Sequence, residues 1–124
     1  MALSKTQQKV LDFAKEQIDI ARTLDIKAWA CHETFHGPTC IEDTRMYKEW
    51  EEYGFKSQEA AFERLREQRD NYAETYGKYY EQHKQGMALC RADSRTIKAL
   101  EKQGYIRIIN DGRVYVDTIE VLNY

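Results

Sequence analysis

Arg95, Lys98 and Lys102 follow one another at spacings of three and four. On a helix, that spacing gathers the three cations on one face, opposite Ile97 and Leu100. Arg91 stands just before the run, and Arg113 follows the turn-forming stretch Asn110-Asp111-Gly112. Guanidinium forks and ammonium groups suit phosphate oxygens, so the set reads as a nucleic-acid or partner-binding ridge. The competing reading is a solvated helix face whose charges pair with Glu101 and Asp93. A second set is acidic: Glu59, Glu63, Glu67 and Asp70, at spacings of four, four and three. These form one acidic helix face that could enter a basic channel by charge complementarity.

Catalytic sets are absent from the pattern. Cys31, His36 and Cys40, with Cys90 far along the chain, are residue types that zinc takes, but they lack the Cys-x-x-Cys knuckle of a structural site. No metal and no cofactor are expected. Neither Cys31 nor Cys40 beside His32 or His36 has an orienting carboxylate or an oxyanion site marked in sequence. The carboxylates show no paired hydrolytic spacing, and no glycine loop for phosphate occurs. The expectation is therefore a protein that is not an enzyme.

The elements that must carry these residues follow from periodicity. Ser4-x-x-Gln7 is a capping-box pattern, and Val10, Phe13, Ala14, Ile18, Ala21 and Leu24 then recur at helical spacing, predicting helix one over 4–25. Residues 28–40 hold the one proline, two histidines and two cysteines, and read as a loop with its own packing around Trp29 and Phe35. Thr39-x-x-Glu42 predicts a short capped helix through Met46, Tyr47 and Trp50 that ends near Gly54. Ser57 then caps a long helix with the stripe Ala61, Phe62, Leu65, Tyr72, Tyr76, Tyr79 and Tyr80, and with Arg69 snorkelling from it. Such a helix projects, or pairs with helix one, and its tyrosines read as a helix–helix seam. From Gly86 the period changes. Met87–Cys90 suits a single strand, Asp93 or Ser94 caps a compact helix, and Gly104 stops it. Tyr105–Ile109 and Arg113–Ile119 then read as a hairpin.

Composition agrees with this order. The 124 residues are 42% hydrophobic and 32% charged, with one Pro and six Gly. That is too apolar for a disordered tail and too poor in turn-formers for a many-stranded sandwich. One domain over 1–124 is expected, of α+β class and mainly helical: helix one, an inserted Cys/His loop and acidic helical arm over 26–85, and a C-terminal part over 86–124. Net charge is −2, distributed as zero over 1–41, −4 over 42–82 and +2 over 83–124. The balance excludes a uniformly basic nucleic-acid coat but not a basic patch. Three cysteines do not suggest a disulfide framework. No apolar run approaches the roughly 18 residues of a membrane span, and Met1–Gln8 lacks the order of a signal peptide. A cytoplasmic protein without membrane contact is expected.

The stretch Ser94-Arg95-Thr96-Ile97-Lys98-Ala99-Leu100-Glu101-Lys102-Gln103-Gly104-Tyr105-Ile106 resembles the recognition helix and first wing strand of winged-helix proteins. Thr6-Gln7-Gln8-Lys9-Val10-Leu11 resembles their first helix. One departure stands out: Gly86–Cys90 reads as a strand where a DNA-reading module has a positioning helix. The ending Val116-Asp117-Thr118-Ile119…Leu122-Asn123-Tyr124 is similar to short proteins of phages and mobile elements. The second resemblance implies an anti-CRISPR-like inhibitor that obstructs a host nucleic-acid-processing complex within the host cell, and the acidic arm, the net charge of −2 and the missing positioning helix favour this reading over the next. The first implies a DNA-binding regulator that takes duplex DNA. A third reading is an assembly protein that dimerises through the tyrosine stripe.

Overall fold

The computed structural model describes residues 3–111 and 115–124, with side chains described except at 91, 110, 111 and 115–117. The α+β, mainly helical class expected from periodicity is what it contains. The element order is α1 (Lys5–Thr23), α2 (Ile26–Phe35), a one-turn 3-10 helix (Ile41–Asp43), α3 (Arg45–Lys48), α4 (Gln58–Lys84), β1 (Met87–Asp93), α5 (Ser94–Lys102), β2 (Ile106–Asp111) and β3 (Tyr115–Val121). Among the described residues no helix is long and apolar enough to cross a membrane. The chain groups into two compact units. A sheet unit joins the residues up to Thr23 to Glu81–Tyr124, and a helical unit holds Leu24–Tyr80. The helical unit nearly coincides with the insertion expected over 26–85, and the boundary falls inside α4.

In the sheet unit, α1 opens on the capping box the sequence predicts. Ser4 Oγ accepts from the Gln7 amide at 3.1 Å, and Gln7 Oε1 accepts from the Ser4 amide at 3.0 Å. Leu11, Ala14, Ile18 and Ala21 form its buried stripe. The helix ends at Thr23 and not at 25, because Asp25 leaves it to cap α2. The strands form an antiparallel sheet in the order β1-β3-β2, with Met87 opposite Glu120 and Ile108 opposite Ile119. The strand expected over Met87–Cys90 thus runs on to Asp93 and joins the hairpin strands. Ala88, Cys90, Ile106, Ile119 and Val121 of the sheet meet Leu11, Ala14 and Ile18 of α1 and Ile97 and Leu100 of α5 in one continuous core. Gly86 and Gly104 have φ of 92° and 85°, at the turn into β1 and after α5, where an L side chain would be strained. Arg22 fastens the chain ends of this unit. Its Nε donates to the Lys84 carbonyl at 3.2 Å and its Nη2 to the Tyr124 carbonyl at 3.0 Å.

The helical unit corrects two expectations. Residues 28–40 do not form a loop: α2 occupies most of them, with the Asp25 carboxylate accepting from the Ala28 amide at 2.8 Å. Trp29, Ala30 and Cys31 are all buried, and three adjacent buried residues leave no three-and-four stripe in the sequence. The helix stops at His36, which takes the left-handed conformation, and Gly37-Pro38 follow. Thr39 does not cap what comes next either. Cys40 precedes the 3-10 turn without a side-chain cap bond, and Thr44 caps the four-residue α3 through the Tyr47 amide. Trp50 lies in turns beyond that helix. Ser57 caps α4 through the Ala60 amide at 3.1 Å, as its position predicts. Cys31, Ile41 and Leu65 form a small core ringed by Phe35, Met46, Tyr47 and Phe62. Trp29 packs between Tyr72 and Tyr80, at ring separations of 5.5 and 5.4 Å, and the Tyr80 hydroxyl donates to the Leu24 carbonyl. Within this unit the tyrosine stripe therefore meets α2.

Candidate binding surfaces

Helix α5 is set by its cap and its buried pair. The Asp93 carboxylate accepts from the Thr96 amide at 2.8 Å, which fixes where the helix begins. Ile97 and Leu100 are fully buried, which fixes which side faces inward. At about 100° per residue, Arg95, Lys98 and Lys102 then fall within about 60° of arc, roughly 160° from the buried pair. All three are exposed, and among the described residues none of them takes part in an ion pair. Arg91 lies on β1, ahead of α5 and not on it, and its side chain is outside the described residues. Arg113, expected at the hairpin tip, lies outside the described residues as well.

Electrostatics keep that face cationic. The Glu101 carboxylate, expected to pair with the ridge, accepts from the Ile108 amide of β2 at 2.8 Å instead. Asp93 remains exposed at the head of the helix. The backbone bond from Thr96, helped by Arg95, holds its carboxyl below the usual carboxylate range. The ionised form is thus the one built into the cap.

The α4 carboxylates are arranged differently. Glu59, Glu63, Glu67 and Asp70 are all exposed and share one side of the helix. Arg66 projects from the edge of that side and hydrogen-bonds Glu63, while Arg69 bonds Asp70 at 3.0 Å. The face is acidic on balance but interleaved with guanidinium groups. Arg66, three residues after Glu63, is the sequence signal for that interleaving.

The structure separates the cysteine and histidine set. Cys31 is buried in the small core, Cys40 is exposed, His36 forms the end of α2, and Cys90 lies in the other unit's core. Among the described residues no group of three or more His, Cys, Asp or Glu side chains is placed to hold a metal. Burial pushes the Cys31 thiol up, against the opposing pull of the Arg69 guanidinium beside it.

Two side chains finish the sheet: Gln17, which sequence reasoning did not single out, and Glu101, which it set against the basic ridge. The Gln17 amide donates to the Leu89 carbonyl at 2.8 Å and accepts from the Leu89 amide at 3.2 Å, standing in for a neighbouring strand on β1. Glu101 does the same for one amide of β2. Because β1 and β2 are the outer strands, both edges carry a side-chain seal. Neither contact has a local sequence signal, since each joins residues that only the tertiary fold brings together. No protein-family model, curated protein or solved structure matches this chain.

Proposed function

We propose that the chain is a non-catalytic binding protein that docks nucleic acid on the basic face of α5. The observation that carries this reading is the exposed set Arg95, Lys98 and Lys102, with the Glu101 carboxylate turned away to Ile108. The order helix, strand, helix, strand, strand in the sheet unit, with the last strand central, supports a wing-bearing frame for that helix, although β1 stands directly before α5 where a DNA-reading module has its positioning helix. The test is fluorescence anisotropy with random duplex at low salt. The wild-type chain binds, and a variant carrying Arg95→Ala, Lys98→Ala and Lys102→Ala does not, while circular dichroism stays unchanged. Equal binding by the triple variant, or none by the wild type, defeats the reading.

A second reading follows from the exposure of Glu59, Glu63, Glu67 and Asp70 along α4. It is inhibition of a host nucleic-acid-processing complex, anti-CRISPR-like, by insertion of an acidic helix into a basic channel in the host cytoplasm. Lysine substitutions at Glu59 and Glu67, which leave the Arg66 and Arg69 bonds intact, abolish inhibition on this reading and leave duplex binding untouched. The tyrosine-stripe dimer is weaker, because Tyr72 and Tyr80 are already spent on Trp29.

A further inference from the structure

We infer that α5 lies along the phosphate track of duplex DNA and reads it without regard to sequence. This rests on the basic face of α5 being the nucleic-acid surface. The first argument is the axial layout of charge. Arg95, Lys98 and Lys102 rise along the helix by about 4.5 and 6 Å, a run of roughly 10 Å. A duplex carries one phosphate charge for about every 1.7 Å of its axis over both strands, so three cations spread over this run lie within reach of three phosphates.

The second argument is what stands at the head of the helix. A recognition helix that enters the major groove puts its N-terminal residues against base edges. Here that position holds Asp93, an exposed carboxylate that already accepts from the Thr96 amide. An anion there opposes entry between two phosphate backbones, and it cancels the attraction that a helix N-terminus has for phosphate.

The experiment uses the full chain and five probes: two DNA duplexes of unrelated sequence, a randomised duplex pool, a single DNA strand and an RNA duplex. Anisotropy is followed from about 20 to 200 mM salt. The two duplexes bind within about threefold of each other, and selection from the pool enriches no motif. The slope of log K against log salt is about −2.7, and each of Arg95→Gln, Lys98→Gln and Lys102→Gln flattens it by about 0.9 on both duplexes alike. A tenfold preference for one duplex, an enriched motif, or a tenfold preference for single strands or duplex RNA overturns the inference and leaves the basic-face reading standing. No binding of any probe at the lowest salt overturns both. Circular dichroism on the glutamine variants separates lost binding from lost fold.

Discussion

The sheet unit and the helical unit solve the same burial problem with different materials. In the sheet unit, ten buried residues from α1, α5 and all three strands make one continuous core of Ala, Leu, Ile, Val and Cys. The helical unit has no strand among its described residues, and it buries a small Cys31–Ile41–Leu65 cluster, Ala30, Ala61 and the indole of Trp29, held between two tyrosine rings. Aliphatic cores drawn from many elements distribute their stability, whereas a core centred on one large ring concentrates it. Surface charge divides in the same way. The sheet unit keeps a cationic face clear by sending Glu101 to the backbone, and the helical unit mixes arginines among its carboxylates.

Concentration of stability in one ring is the easiest part of that comparison to break. Trp29→Ala should destabilise the helical unit by about 3–5 kcal/mol, through the transfer and cavity terms of a large buried side chain. Cys31, buried in the same unit, is its reporter: thiol labelling of Cys31 under native conditions should accelerate in the variant. A loss below about 1 kcal/mol would mean that Tyr72 and Tyr80 close over the gap and that the indole is not the keystone.

The sheet unit has its own probe in Leu100, fully buried between α5 and the sheet. Leu100→Ala should cost about 2–5 kcal/mol, with the buried Cys90 thiol as reporter. The edge seals should be worth less. Glu101→Ala and Gln17→Ala each remove acceptors from exposed-edge backbone, at about 1 kcal/mol apiece. Their more telling effect is association, since an unsealed outer strand can pair with another chain. Light scattering that rises with concentration in the Glu101→Ala variant, and not in the wild type, is the expected result; monomeric behaviour of both would remove the sealing role.

How far the sequence carried these conclusions depends on the range of the interaction. Ser4, Ser57, Asp93 and Gly104 were legible because a cap or a stop is a matter of a few neighbouring residues. The basic face was legible because spacing on one short helix decides it. Helix α2 was missed since burial on several sides erases the stripe that marks a helix. The Thr39 box failed against Thr44, which offers the same kind of hydroxyl and here accepts from the Tyr47 amide while donating to the Ile41 carbonyl. Glu101 and Gln17 were out of reach for a different reason: their partners are backbone atoms, which carry no sequence identity at all.

The smallest effect isolates the head of α5. Asp93 is ionised in its cap, with the carboxyl held below its ordinary value of 3.8 by the Thr96 amide first and by Arg95 among the lesser causes. A carboxyl whose folded value is depressed contributes stability above its unfolded value and loses it as pH falls through the folded value. Asp93→Asn keeps a cap oxygen but removes the charge, so the wild type should be the more stable of the two near neutrality. That advantage should shrink as pH drops past the ordinary carboxylate range and vanish once the folded carboxyl is protonated. Urea denaturation of both proteins from about pH 7 down to about pH 2 reads the difference directly. A gap that stays constant with pH would mean the carboxylate caps through geometry alone. The charge at the head of α5 would then contribute nothing to holding the helix that carries Arg95, Lys98 and Lys102.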